Sequence, residues 1–147
     1  MFVSVTRLRV RSLRYLLPFF WHSIMASRQA ERASGFRGGK LAGDAKKTFW
    51  TVTGWDDEAA MRVYFGAGAH RRVMPKLLDW CDEASVVHWT QEGVGLPDMP
   101  EAHRRMVAEG RLSKVKHPSP SHASKQMAQI AAPEARFERM LRIVRKP

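Results

Sequence analysis

The sequence predicts an α+β fold of the ferredoxin-like type, with the element order β-α-β-β-α-β around one antiparallel sheet. Four segments rich in β-branched and aromatic residues predict strands, and two segments with helical periodicity lie between them. The chain of 147 residues is long enough for one core but short for two. We therefore expect a single sheet with two helices on one of its faces.

The predicted strands differ in strength. They span residues 1–10, 36–42, 48–55 and 85–92. The pair Gly38–Gly39 weakens the second strand, whereas the third is dense in Thr, Val and aromatic residues. Because Gly43-Asp44 favours a tight turn between them, these two strands should form a hairpin.

The two helical segments differ in polarity. Residues 15–26 form the longest apolar stretch, and we expect a buried helix there, with association at a membrane surface as the alternative. The stretch is shorter than the roughly 20 residues that cross a bilayer, so no transmembrane segment is expected. Its apolar stripe consists of Leu17, Phe20, Trp21 and Ile24. The second segment begins at Asp56, breaks at Gly66 and Gly68, and resumes over residues 69–80.

The third predicted strand is apolar on both faces. Phe49 and Trp55 lie on one side, and Trp50 and Val52 lie on the other. Two helices cover only one face of a sheet, and a large exposed apolar patch is unfavourable. We expect a second copy of the chain to cover the other face, which makes a homodimeric α+β barrel. The alternative is that residues 98–147 fold back over that face.

The domain is expected to span residues 1–96, and a basic C-terminal extension, partly helical and partly irregular, occupies residues 97–147. Residues 100–110 have the pattern of a short amphipathic helix. Residues 114–125 carry prolines, serines and histidines with little to bury and should be mobile. A basic terminal helix is predicted at residues 133–146.

Charge and cysteine content limit the possible functions. The net charge is +11, divided as +7 over residues 1–46, −2 over residues 47–97 and +6 over residues 98–147. This distribution predicts weak attraction to nucleic acids or anionic membranes through the basic ends, without a specific nucleic-acid site. The single Cys81 excludes an intramolecular disulfide and a cysteine-rich zinc site, and fits a cytoplasmic location. No metal site is expected.

Two segments resemble the antibiotic-biosynthesis-monooxygenase group of dimeric α+β barrels. Residues 34–41, SGFRGGKL, are similar to the opening of that group's second strand. Residues 55–61, WDDEAAM, followed by GAHR at 68–71, resemble its strand-to-helix signature, most closely that of spheroidene-monooxygenase-like bacterial proteins. The resemblance covers about residues 1–92. It implies a monooxygenase-like enzyme, without a required cofactor, acting on an apolar or aromatic substrate in a barrel pocket; a non-catalytic ligand-binding or structural barrel is the alternative.

The haem-degrading branch of this architecture gives a comparison for the cofactor. Its Asn, Trp and His positions fall on Thr6, Tyr64 and Met74, and none of the three matches. Haem is therefore possible but not supported by these positions. The histidines that remain as candidate ligands are His22, His70 and His88.

Six residues are predicted for the site. The catalytic candidates are His70, Tyr64 and Arg7, and the substrate-binding candidates are Trp50, Trp89 and Thr6. Histidine can exchange a proton near neutral pH, and an arginine turned into a pocket stabilises an anionic substrate or an enolate. Each has a structural alternative: His70 packs at a helical junction, Trp89 belongs to the core, and Arg7 is solvated at a strand edge.

Overall fold

The predicted order of strands and helices is confirmed in a computed structural model, which describes residues 1–126, 132–133 and 137–143. The strands are β1 (Phe2–Val10), β2 (Phe36–Gly43), β3 (Thr48–Trp55), β4 (Cys81–Thr90), β5 (Arg111–Leu112) and β6 (Phe137–Leu141). The helices are α1 (Leu16–Glu31), α2 (Glu58–Phe65), α3 (Gly68–Trp80), α4 (Met99–Glu109) and α5 (Pro120–Ala123). The strands form one sheet in the order β5-β4-β1-β3-β2-β6, in which every neighbouring pair is antiparallel.

The central strand β1 defines the two faces of the sheet. Val5 lies opposite Val52 of β3 and Val87 of β4, so these three side chains share one face. Thr6, the next residue, points to the other face. We call the side of Thr6 the helix face, because α1, α2 and α3 cover it, and the side of Val5 the second face.

The helix face packs an aromatic core under α1 and α2. Trp55 is fully buried and stacks on Tyr64 with ring centroids 5.0 Å apart, while its indole N–H donates to Thr53 Oγ1 over 3.0 Å. The helix α2 starts after Asp57, whose carboxylate accepts the Ala60 N–H over 2.8 Å and caps the first turn. These contacts fix α2 against the end of β3.

The second face is covered by the chain itself. Met99, Ala102 and Met106 of α4 are buried in one cluster with side chains of the sheet, which include Trp50 and Trp89. The short helix predicted at residues 100–110 is thus confirmed, and it takes the position that a second copy was expected to fill. The premise of a bare face was wrong, because the apolar side chains of α4 cover it. A homodimer stays a prediction, but it cannot arise by pairing two bare sheets.

The first helix is confirmed, but the prediction that its apolar stripe is buried is wrong. Leu17 is 81% exposed and Trp21 is 64% exposed, whereas Phe19 is 5% exposed and contacts Phe49 with ring centroids 4.8 Å apart. The helix is apolar on several sides between residues 16 and 25. Because more than one side of this helix is apolar enough to pack in a core, periodicity alone does not show which side meets the sheet.

The predicted terminal helix is wrong where the structure describes it. Residues 137–141 form β6, which pairs with the edge strand β2; residues 134–136 and 144–146 lie outside the described residues. A Cβ on Gly39 would lie 3.0 Å from Leu141 Cδ1, and one on Gly43 would lie 2.3 Å from Phe137 Cε1. The glycines that weaken β2 in isolation therefore make room for the side chains of its neighbour.

Residues 113–126 are anchored to the sheet rather than free of contacts. The Lys116 N–H donates to the Leu78 carbonyl over 2.7 Å, and the Ser119 N–H donates to the Asp82 carbonyl over 2.9 Å. Ser119 is 5% exposed and caps α5 by accepting the His122 N–H. Its serines Ser119 and Ser121 bind a carboxylate of the sheet, and the mobility of the segment stays a prediction.

The position of α4 predicts that its apolar stripe is part of the core. Replacing Met106, which is fully buried, as Met106→Ala should lower the free energy of unfolding by about 2–5 kcal/mol. The matched change Met74→Ala, at a 46% exposed position of α3, should cost less than about 1 kcal/mol. Urea-induced unfolding measures both, and equally small effects would show that α4 is not packed on the sheet.

Candidate functional site

A cavity of about 210 Å³ lies on the second face, between the sheet and residues 112–126. The strands β1, β3 and β4 supply one wall, and the segment around α5 supplies the other. The polar side chains that line it include Arg7, Arg9, Thr48, Glu83, Ser85, Ser121 and His122. The cavity therefore combines a rigid sheet surface with a wall of hydroxyl and imidazole groups.

A buried ion pair forms the floor of the cavity. Arg7 Nη1 donates to Glu83 Oε2 over 2.7 Å, and the two side chains are 8% and 10% exposed. Glu83 Oε1 accepts hydrogen bonds from the hydroxyls of Ser119 and Ser121, over 2.8 and 3.1 Å. Burial works to raise the pKa of Glu83, but the hydrogen bonds from Arg7 and Ser119 outweigh it and lower that pKa. Glu83 is thus an ionised acceptor at neutral pH.

Two donors beside this pair have no partner among the described residues. They are Nε of Arg7 and Oγ of Ser85, both fully buried atoms. Arg7 and Ser85 are directly opposite each other in the β1–β4 ladder, so both groups belong to the same spot on the second face. Buried polar groups in proteins are almost always hydrogen-bonded. Within the described residues, these two donors therefore lack the acceptor that buried polar groups normally have.

On the helix face, His70 and Tyr64 are held by packing. The His70 ring stacks on Phe65 with centroids 4.4 Å apart, and its Nδ1 is 3.2 Å from the Phe65 carbonyl oxygen. The Tyr64 hydroxyl donates to the Ala26 carbonyl over 3.2 Å. Burial lowers the pKa of His70, although its bond to Phe65 works in the opposite direction, and burial raises the pKa of Tyr64. This geometry matches the packing alternative for His70.

The six predicted residues do not meet in one place, because the sheet separates them. Thr6, Tyr64 and His70 lie on the helix face, and Arg7, Trp50 and Trp89 lie on the second face. Arg7 and Trp50 are directly opposite each other in the β1–β3 ladder.

Trp89 lies at the far end of the second face. The Arg105 guanidinium of α4 lies over its ring, 5.2 Å from the centroid. Its indole N–H donates to Gln91 Oε1 over 3.1 Å, which leaves the side chain in a core position away from the cavity.

Sequence reasoning missed Glu83 and Ser85 as members of the site. The fourth strand was predicted to begin at residue 85, whereas β4 begins at Cys81. Glu83, Ser85, Val87 and Trp89 alternate along the strand and so share one face. A carboxylate at an inward strand position, with arginines at matching positions of β1, was the signal that would have found the ion pair.

The residues present do not fit a haem. Tyr64 is buried and its hydroxyl is bonded to the Ala26 carbonyl. The candidate histidines pack against aromatic rings: the ring centroids of His22 and Trp80 are 5.7 Å apart, and those of His88 and Phe2 are 5.6 Å apart. Within residues 1–126, 132–133 and 137–143, three or more His, Cys, Asp or Glu side chains do not come together in an arrangement that could hold a metal ion. In the same part of the chain, helices are too short or too polar to cross a membrane.

Solved structures share this fold. A Nitrosomonas europaea protein named as a candidate antibiotic biosynthesis monooxygenase is 14% identical, with 63% of this chain and 100% of that chain covered and a TM-score of 0.55. SnoaB from Streptomyces nogalater, described as a cofactor-independent oxygenase, is 17% identical, with 66% and 97% covered and a TM-score of 0.52. A conserved protein from Methanosarcina mazei is 12% identical, with 62% and 92% covered and a TM-score of 0.55.

The chain thus has the fold of antibiotic-biosynthesis-monooxygenase-like proteins, as its sequence predicted. Neither a protein-family model nor a curated protein matches the sequence. At these identities the likeness carries the fold and not the reaction. The closer relationship to spheroidene-monooxygenase-like proteins stays a prediction.

The partly buried histidines His70 and His88 predict that stability depends on pH. Burial lowers the pKa of both His70 and His88 below the ordinary value of 6.5. Below that pH the unfolded chain binds protons that the folded histidines refuse, so the free energy of unfolding should fall as the pH drops from about 7 to about 5. The double change His70→Gln, His88→Gln should flatten this acid limb in urea unfolding experiments. An unchanged slope would contradict the burial of both rings.

Proposed function

We propose that the chain is a cofactor-independent, monooxygenase-like enzyme that binds a small aromatic substrate through an acidic hydroxyl group at Arg7. The observation that carries the proposal is the pair of unpartnered donors, Arg7 Nε and Ser85 Oγ, beside the cavity. The fold supports it, since one protein with this fold is described as a cofactor-independent oxygenase. Of the predicted site residues, the proposal keeps Arg7, which lines the cavity.

The two donors suit an anionic oxygen. A substrate phenolate or enolate accepts hydrogen bonds from the Arg7 Nε–H and the Ser85 hydroxyl, and such preorganised donors stabilise charge strongly in a buried site. Trp50, opposite Arg7 on the same face, is buried under α4 and does not line the cavity, so it lies outside the proposed site. The cavity of about 210 Å³ is smaller than the roughly 300–1,000 Å³ typical of ligand pockets, so it fits a small substrate or the polar end of a larger one.

His122 is the proposed proton acceptor in place of His70. It lines the cavity, and its Nε2 is 3.0 Å from the Ser113 carbonyl oxygen. A carbonyl can only accept, so Nε2 carries the proton and Nδ1 is the basic nitrogen of the neutral ring. Glu83 suits this role less, because Arg7 lowers its pKa.

The reaction needs only oxygen as co-substrate. A CH₂ group that a conjugated ring ketone makes acidic loses a proton, and the resulting carbanion, which is also an enolate, transfers electrons to O₂ and forms a C–O bond. One oxygen atom is kept as the new ketone, and the other leaves as water with the two hydrogens of the CH₂ group. The protein contributes a base, the donors at Arg7 and Ser85, and exclusion of water.

Ligand binding without chemistry is the second candidate. It is favoured by the ion pair itself, since Glu83 already neutralises the charge of Arg7. Tight binding of a phenolic ligand with no turnover, aerobic or anaerobic, would support this candidate over the enzyme.

The change Ser85→Ala separates function from stability. Ser85 Oγ makes no hydrogen bond within the described residues, so its loss should leave the free energy of unfolding unchanged or higher. Turnover of a hydroxyanthrone, measured as oxygen uptake with ketone formation, should fall about 100-fold in kcat/KM. Ser4→Ala, a buried serine on the helix face, is the control and should turn over normally.

The same assay without oxygen tests the reaction class. Product formed under strictly anaerobic conditions would refute oxygenation. Full activity of the Ser85→Ala variant would show that the reaction does not take place at this cavity.

A further inference from the structure

An apolar stripe runs along the outer side of α1 and the turn before it. Its members are Leu13, Leu17, Phe20, Trp21 and Ile24, which are 74%, 81%, 37%, 64% and 38% exposed. They lie at three- and four-residue steps and so form one surface along α1. Phe20, at the edge of this surface, also contacts Phe49 of β3, with ring centroids 5.2 Å apart. We call this surface the α1 stripe. Single exposed apolar residues are ordinary, but a contiguous patch of this kind marks an interaction surface.

Exposed cations without carboxylate partners lie on or near the same pair of helices as the α1 stripe. They are Arg14, Arg28 and Arg32, near or on α1, and Arg71, Arg72 and Lys76 on the neighbouring α3. All six are exposed, and none forms an ion pair with the described residues. Seven other arginines meet a carboxylate, namely Arg7, Arg9, Arg11, Arg37, Arg62, Arg104 and Arg105, whereas Arg111, Arg139 and Arg142 lack an ion pair with the described residues.

Acidic side chains near the α1 stripe are already engaged. Glu31 is the one acidic residue of α1, and its Oε1 accepts the Arg142 N–H over 3.3 Å. Asp79 is the one acidic residue of α3, and it binds His117 over 3.1 Å and Arg11 over 3.5 Å. The two helices α1 and α3 therefore expose an apolar stripe together with cations that these two carboxylates do not neutralise.

We propose that the α1 stripe docks on the surface of an anionic lipid bilayer. Apolar side chains enter the boundary between headgroups and acyl chains, the Trp21 ring suits that boundary, and the unpaired cations attract anionic headgroups. The helix lies on the bilayer and does not cross it. A second copy of the chain fits this surface less well, because two facing stripes would bring twelve unpaired cations together.

Vesicle binding tests the proposal. The protein should co-sediment with vesicles of phosphatidylserine and phosphatidylcholine at low salt, should bind pure phosphatidylcholine vesicles at least about tenfold more weakly, and should be released as salt rises. Leu17→Glu with Trp21→Glu should abolish binding without loss of stability, since both residues are exposed. Val94→Glu, at a 91% exposed position outside the stripe, is the matched control and should bind like the original chain.

The depth of the contact is tested by lipids brominated on their acyl chains. They should quench tryptophan fluorescence of the bound protein, and Trp21→Phe should remove more of the quenching than Trp80→Phe while leaving binding largely intact, because Trp50, Trp55 and Trp89 are buried and Trp80, which stacks on Tyr15, is less exposed than Trp21. Failure to bind anionic vesicles at low salt overturns the proposal, as does equal binding by the Leu17→Glu, Trp21→Glu variant. A dimer in light scattering that the same variant dissociates assigns the stripe to a second copy instead.

Discussion

A sheet that is apolar on both faces has to be covered on both faces, and the rest of the structure follows from this constraint. Trp55 and its neighbours on the helix face are buried under α1 and α2, while Trp50 and Val52 on the second face are buried under α4. The sheet centre is thereby fixed from both sides. The cavity lies on the second face beside residues 112–126, where Arg7 and Glu83 replace apolar side chains.

Most of the sheet could be predicted from the sequence because strand patterns are local. The run from Thr48 to Trp55 is β-branched and aromatic, and the turn at Gly43-Asp44 joins it to its hairpin partner. The cover of the second face and β6 could not be predicted in this way. The strand β6 forms because the edge of β2 is free to pair with it. Gly39 and Gly43 leave space for the side chains of β6, but this is recognisable only when the pairing of the two strands is known.

The candidate site could be predicted only in part, for a similar reason. Alternation along β1 shows that Thr6 and Arg7 face opposite ways, but it does not show which face holds a cavity. The family resemblance indicated positions on the helix face, such as Tyr64, and these became packing residues. Arg7 and Trp50 are neighbours across the β1–β3 ladder, a relation that follows from register and not from either strand alone. Glu83 is recognised as the ion-pair partner of Arg7 only when the register between β4 and β1 is known.

The charge of the chain shows the same dependence on register. Counted along the sequence, residues 1–46 carry +7, which predicts a general attraction to polyanions through a basic end. In the fold, three arginines of this segment form ion pairs with carboxylates of the acidic middle segment: Arg7 with Glu83, Arg9 with Asp82 and Arg11 with Asp79. Exposed cations remain unpaired on α1 and α3, and others, such as Arg111 and Arg139, remain unpaired in the C-terminal part of the described chain. Pairing within the sheet thus removes three charges from the basic N-terminal segment and leaves the unpaired cations on the helices and towards the C-terminal end.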